Sequence, residues 1–285
     1  GHDSGSEQAA HRLQALIRKT HEPQHCIADE VTTRHNAVCS RRPPASHSPL
    51  QLLSGPPAHM PEPSVQPLKA VAFDLDGLIF NTEHVFVIAA ETIVDRRGLK
   101  MPPDLIQRMM GRRPPEGFRI MRELLGVEDS AESLFEETRD TFLGLLDKHL
   151  EPMPGVFELF DHLESIQIPK AVATSSPRQF LDNLLGRFDL HSRFDFFLTA
   201  EDVVNGKPNP EIYLTAAKRH GVAPSEMLVF EDSETGTKAG VAAGAFVVSV
   251  PHEHSRHHDF STASRVADTL RDPLIRNLLP QVSRS

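Results

Sequence analysis

From Lys69 onward, short apolar runs recur along the chain: Ala70 to Phe73, Ala171 to Ala173, Phe196 to Leu198, Leu228 to Phe230 and Ala245 to Val250. Each is rich in branched or aromatic residues and stops at small or polar ones. Segments with helical periodicity separate them. Continuous apolar strands alternating with amphipathic helices predict an α/β fold, a doubly wound parallel sheet covered on both faces. One connection breaks the rhythm. The stretch from Asp74 to Lys170 is far longer than a single crossover needs. Within it, Glu83 to Leu150 reads as helices only. Phe86, Ala90, Ile93 and Val94 share one face, Phe118, Met121, Leu124 and Leu125 a second, and Leu134, Thr138, Phe142 and Leu145 a third. Gly111, Pro114-Pro115 and Gly126 punctuate them. The expected layout is a Rossmann-like core over residues 68–83 and 153–280, with an all-helical cap over 84–152 standing at the carboxyl edge of the sheet, where such folds bind ligands.

Residues 1–67 lack this texture. They are rich in proline and histidine and carry no sustained apolar period, so a disordered tail is expected, with one short helix over His11 to Thr20. A histidine-rich metal tail is the sharper alternative, but the histidines lack regular ligand spacing. Composition is that of a globular protein, with 39% hydrophobic and 24% charged residues. No run approaches the ~18 apolar residues of a membrane span. The net charge is −9. Lysine and arginine balance aspartate and glutamate within residues 1–67, so the deficit lies on the body of the chain. An acidic body disfavours nucleic acid as a partner but leaves room for a small phosphorylated metabolite, provided that a local lysine and a metal offset the field. Both cysteines, Cys26 and Cys39, lie in the tail, so no disulfide framework is expected in the body; a reducing cytoplasm fits.

Chemistry gathers at the strand ends. The first strand delivers Asp74-Leu75-Asp76-Gly77. Two carboxylates this close are costly unless a cation neutralises them, and hard cations such as Mg²⁺ choose such oxygens. The same pattern also occurs in calcium loops and ordinary turns. The second strand ends in Thr174-Ser175-Ser176, either an anion site or a cap for a helix in which Ser176 precedes Pro177. Lys207 stands between Gly206 and Pro208, either an oriented phosphate-binding point charge or a solvated loop lysine. Glu231-Asp232-Ser233 closes a later strand, either a metal site or an acidic helix cap. Taken together, all four segments fall at carboxyl ends of parallel strands, which meet on one edge. They supply the inventory of metal-assisted phosphoryl transfer.

In order and spacing, FDLDGLIFNTE, ATSS, NGKPNPEIY and VFEDSETGTKAGVAAG resemble the haloacid dehalogenase superfamily, in the branch with a helical cap after the first motif. The likeness is greatest to the phosphorylated-carbohydrate phosphatase, β-phosphoglucomutase and pseudouridine-phosphatase group. The resemblance implies a magnesium-dependent phosphatase. Asp74 would be the nucleophile and Asp76 the general acid and base, with its carbonyl on the metal. Thr174 and Ser175 would bind phosphate, Lys207 would offset charge, and Asp232 with Glu231 would complete the metal site.

Dehalogenases of the superfamily lack an acid at the Asp76 position, which argues for phosphate esters. Where β-phosphoglucomutases carry a cap histidine this chain has Phe86, and where they carry a cap arginine it has Pro114. Hydrolysis is therefore expected over a phosphohexomutase activity; a catalytically silent binding protein is the rival from another class. Asn81 stands where many relatives have aspartate and is expected to be non-catalytic. Met110, Arg112 and Arg113 are the cap candidates for specificity, although solvated arginines are the plainer expectation. His252, His254, His257 and His258 look like a second metal cluster, although a solvated loop without partners is the plainer expectation.

Overall fold

The computed structural model describes residues 68–109, 112 and 114–279. The expected tail, Met110, Gly111, Arg113 and the last residues of the chain lie outside them. Six strands form one sheet: β1 (Ala70–Phe73), β2 (Lys170–Ala173), β3 (Phe196–Leu198), β4 (Met227–Glu231), β5 (Phe246–Ser249) and β6 (Arg265–Val266). All pair in parallel, in the order β3-β2-β1-β4-β5-β6. The five strands expected from the apolar runs are present. Strand β6 was not expected, because two exposed residues at a sheet edge carry no apolar signature.

The first half of the sheet grows outward from β1 through β2 to β3, and the second half starts at β4 on the other side of β1. The strand order reverses between β1 and β4, which opens a crevice beyond their carboxyl ends. In register, Phe73 lies beside Phe230, so Asp74 and Glu231 leave the sheet next to each other. The four residues of β1 are fully buried, as parallel strands covered on both faces must be. On one face Phe73 stacks on Phe230 at 5.1 Å and meets Phe160 edge-on at 5.2 Å. On the other, Ala70, Ala72 and Val229 pack against Tyr213, Ala216 and Ala239.

Between β1 and β2 every regular element among the described residues is helical: α1 (Thr82–Arg96), α2 (Leu105–Met109), α3 (Pro114–Leu125), α4 (Ala131–His149) and α5 (Val156–Ser165). Ser130 caps α4 by accepting from the Ser133 amide. Ile93, Val94, Leu105, Met109, Phe118, Met121 and Leu134 form an apolar cluster of their own, with Phe86 packed against it. Helix α4 joins this cluster through Leu134 and Phe135 and ends in the main core through Leu146. The later helices are α6 (Arg178–Gly186), α7 (Glu211–His220), α8 (Glu234–Ala242) and α9 (Pro273–Leu278). No described helix is long and apolar enough to cross a membrane.

Candidate active site

Asp74 follows β1 directly, its amide donating to the Phe230 carbonyl at 3.0 Å, which fixes the carboxylate at the mouth of the crevice. The chain then turns at Gly77, whose φ of 76° suits a residue without a Cβ. A Cβ here would also lie 2.5 Å from Asp232 Oδ2 and 2.7 Å from His252 Nε2, so only glycine lets this loop approach the β4 end.

Lys207 reaches the site from the loop before α7. Its ammonium donates to Asp74 Oδ1 at 2.5 Å, to Glu231 Oε1 at 2.6 Å and to the Ala173 carbonyl at 2.9 Å. Its side chain is only 5% exposed, so the lysine is oriented rather than solvated. Burial opposes its charge, but Asp74 and Glu231 hold its pKa well above the ordinary lysine value. Burial also drives Asp74 well above the usual carboxylate range, against the pull of Lys207.

Glu231 is fully buried and both of its oxygens are engaged. Oε1 accepts from Lys207 and from the Tyr213 hydroxyl at 2.5 Å, and Oε2 accepts from the Ser233 hydroxyl at 3.0 Å. Ser233 in turn caps α8 by accepting from the Gly236 amide. The sequence expectation gave Glu231 a share of the metal; in the structure its oxygens also anchor Lys207 and the start of α8.

Asp76 is gripped on one oxygen, Oδ2, by the Ser176 hydroxyl at 2.6 Å, with the Thr174 hydroxyl at 3.5 Å. Burial raises its pKa, and the Ser176 hydrogen bond works the other way. Ser176 was read from sequence as a helix cap. Helix α6 instead starts after Pro177, without a side-chain cap, and the Arg178 amide is taken by Glu201. The Ser176 hydroxyl is thereby free for Asp76, a pairing that spacing alone could not reveal. Thr174 is buried and accepts from the Ser176 amide at 3.0 Å, while Ser175 is exposed at the strand end.

Asp232 is buried beside this group, and burial pushes its pKa up to about 7 although a hydrogen bond from His252 opposes the rise. Ligand oxygens of Asp74, Glu231 and Asp232 lie within 4.8 Å of one another. Buried carboxylates crowded this closely fit a divalent cation, and their all-oxygen character matches Mg²⁺. A second grouping joins Asp232 to Glu83 and His252. His252 corrects the solvated-loop expectation: its side chain is 11% exposed, with Nε2 2.7 Å from Glu83 Oε2 and 3.1 Å from Asp232 Oδ2. His257 is exposed, whereas His254 and His258 are half-buried, and none of these three joins a metal grouping among the described residues.

In the inserted helices, Phe86 meets Phe118 edge-on at 6.5 Å and belongs to the apolar packing there. Arg112 pairs with Glu116 and donates to the Arg108 carbonyl at 2.9 Å, and its side chain is half exposed. Asn81 is structural. Its side-chain nitrogen donates to the His149 carbonyl at 3.1 Å and its side-chain oxygen accepts from the Glu151 amide at 2.8 Å, joining the segments that lead into and out of the helical insertion.

A parallel sheet with a carboxylate pair, a buried lysine and a second carboxylate cluster at its switch point defines a phosphoric monoester hydrolase of the α/β class. Residues 71–250 match the haloacid dehalogenase-like hydrolase family, and the chain belongs to it. It is 36% identical over 177 residues to a phosphorylated carbohydrates phosphatase of Thermotoga maritima, covering 62% of this chain and 82% of the relative. It is 34% identical to a probable pseudouridine-5'-phosphatase of Drosophila melanogaster, covering 70% and 89%. Among solved structures, a putative β-phosphoglucomutase from Thermotoga maritima superposes with a TM-score of 0.65 at 31% identity, covering 74% of this chain and all of that one. The family is one of hydrolases, and these relatives are named as phosphatases, which favours an enzyme over the silent-binder reading.

Proposed function

We propose that this protein is a Mg²⁺-dependent phosphatase acting on a small phosphorylated metabolite, a sugar phosphate or a nucleoside-type monophosphate, through a phosphoryl group carried on Asp74. The observation that carries the reading is the Lys207 ammonium 2.5 Å from Asp74 Oδ1, with a second buried carboxylate, Asp232, within a cation's reach. An anionic nucleophile meets an anionic substrate only where positive charge offsets both. Lys207 supplies one such charge. A divalent cation held by Asp74, Asp232 and the Asp76 carbonyl would supply the rest, and would keep Asp74 ionised despite its burial.

In the first step an Asp74 oxygen forms a bond to phosphorus and the ester P–O bond breaks. Asp76, its pKa raised by burial, gives its proton to the leaving oxygen. In the second, Asp76 takes a proton from water, the water oxygen bonds to phosphorus, and the bond to Asp74 breaks to release phosphate. Thr174 faces this group and would donate to a phosphate oxygen; Ser176 holds Asp76 in place. Glu231 acts through Lys207. The substrate class is supported by the relatives, which are named for phosphorylated carbohydrates and for pseudouridine 5'-phosphate. Hydrolysis over isomerisation is supported by Phe86, a packing residue at the position where mutases carry a histidine.

Phosphate release measured with Mg²⁺ over a panel of sugar phosphates and nucleoside monophosphates tests the reading. Release should be abolished by EDTA and by Asp74→Asn, with the variant still folded by circular dichroism. An active Asp74→Asn protein would overturn the mechanism. Isomerised glucose 1-phosphate without free phosphate would show a mutase instead.

A further inference from the structure

We propose that His252 is a positioning residue for Asp232, clamping the cation-holding carboxylate and tying it to Glu83 in the first turn of helix α1. The inference rests on the reading that Asp232 holds a divalent cation. Its basis is the placement of one ring between two carboxylates that approach from different parts of the chain. His252 Nε2 lies 3.1 Å from Asp232 Oδ2 and 2.7 Å from Glu83 Oε2.

The ring is held from behind. The His252 amide donates to the Ser255 hydroxyl at 3.1 Å, and Ser255 is buried; the Ser255 and Arg256 amides return to the His252 carbonyl at 3.0 Å. The His254 amide donates to His252 Nδ1 at 3.3 Å. Nε2 is the ring nitrogen that faces both carboxylates, so its N–H is the donor available to Asp232. In the clamp the ring presents an N–H to Asp232 rather than a lone pair to a metal. One Asp232 oxygen is taken by this donor, which leaves the other for a cation. Gly77 closes the remaining side, since a Cβ there would meet both Asp232 and His252. Without the ring, Asp232 and Glu83 would face each other as like charges with no donor between them.

Outer hydrogen-bond partners of metal ligands set ligand orientation, and their loss typically weakens metal affinity about 10–100-fold. Glutamine and methionine are similar in volume and differ in whether they carry an N–H donor, so His252→Gln and His252→Met isolate the hydrogen bond. Mn²⁺ binding to the full chain, followed by electron paramagnetic resonance, is the readout, with Asp232→Asn as the control. Thermal melting of each variant in EDTA establishes that it is folded. The clamp predicts that Asp232→Asn abolishes binding, that His252→Met weakens it about tenfold, and that His252→Gln restores most of it. Unchanged or tighter binding in His252→Met, with Asp232→Asn inactive in binding, overturns the clamp alone. A Gln variant as weak as the Met variant does so too, and would make the imidazole itself a ligand. Retained binding in Asp232→Asn overturns the metal reading beneath it.

Discussion

Asn81 and Glu151 are joined twice: the Asn81 amide donates to the Glu151 carbonyl at 3.0 Å, and the Glu151 amide donates to the Asn81 side-chain oxygen at 2.8 Å. With the further bond to the His149 carbonyl, one side chain fastens the point where the chain leaves the sheet to the point where it returns. A short polar seam thus ties the two ends of the helical insertion together. Replacing Asn81 with alanine removes both side-chain bonds, one of them part-buried, at a cost of about 1–2 kcal/mol. The expected result is a lower melting temperature together with a several-fold fall in kcat/KM, because the two ends of the insertion are less firmly tied. Unchanged kinetics with a lowered melting point would confine Asn81 to stability.

This seam also shows what a sequence carries and what it does not. The five apolar strands and the helical insertion follow from periodicity, which is local. Asp74, Asp76, Thr174, Lys207 and Asp232 follow from their positions at strand ends, because a parallel sheet brings those ends together. His252 stood out in sequence only as one of four clustered histidines, and its pairing follows from neither rule. Its partners Glu83 and Asp232 are distant in sequence, and its loop has no ligand spacing to mark it. Ser176 was visible as an anion-site or helix-cap residue, but its hydrogen bond to Asp76 was not, since a serine before a proline reads equally well as a cap. Strand β6 has only two residues, both exposed, and is defined by its pairing with β5 rather than by its composition.

Gly236 stands in the first turn of α8, where an added Cβ would lie 1.8 Å from Glu231 Oε1. Glu231 cannot withdraw, because Lys207, Tyr213 and Ser233 hold its oxygens. Alanine normally favours a helix over glycine by about 1 kcal/mol. At Gly236 the sign should invert, with a loss of several kcal/mol from overpacking and a sharp fall in activity as Lys207 is displaced. Gly144, exposed in α4 with open space around it, is the matched control. Gly144→Ala should stabilise by up to about 1 kcal/mol and leave activity unchanged. Urea midpoints for the two variants give both signs in one experiment.

Lys207→Met keeps most of the length of the side chain and removes its charge. Asp74 and Glu231 are then left buried with no cation between them. Breaking such a buried pair costs about 3–5 kcal/mol, unless the carboxylates protonate. The variant should melt well below the parent in EDTA and recover part of the difference in Mg²⁺, since a cation near Asp74 replaces some of the lost charge. Its phosphatase activity should stay undetectable even at saturating Mg²⁺, because the ammonium is oriented toward the nucleophile itself. Activity near that of the parent would separate Lys207 from catalysis.

Far from this site, at the opposite end of the sheet, Glu164 binds Arg193 through two bonds of 2.9 and 2.7 Å and accepts from Lys170 at 2.7 Å. The Arg193 guanidinium, more than the Lys170 ammonium, lowers the Glu164 pKa from 4.5 to about 2. A carboxylate whose folded pKa is depressed stabilises the protein above its unfolded pKa, and the contribution is lost as pH falls through the folded value. Glu164→Gln should therefore cost stability at pH 7. The carboxylate is 44% exposed, so solvent screening reduces the cost from the full linkage value to about 1 kcal/mol. Between pH 4.5 and about 2 the difference from the parent should shrink, because the parent itself loses these ion pairs as Glu164 protonates. Urea midpoints of parent and variant at pH 7, 5 and the lowest pH at which both are folded would follow it. Curves that stay parallel down to the lowest pH would mean that Glu164 contributes through packing and neutral hydrogen bonds, since those survive protonation and ion pairs do not.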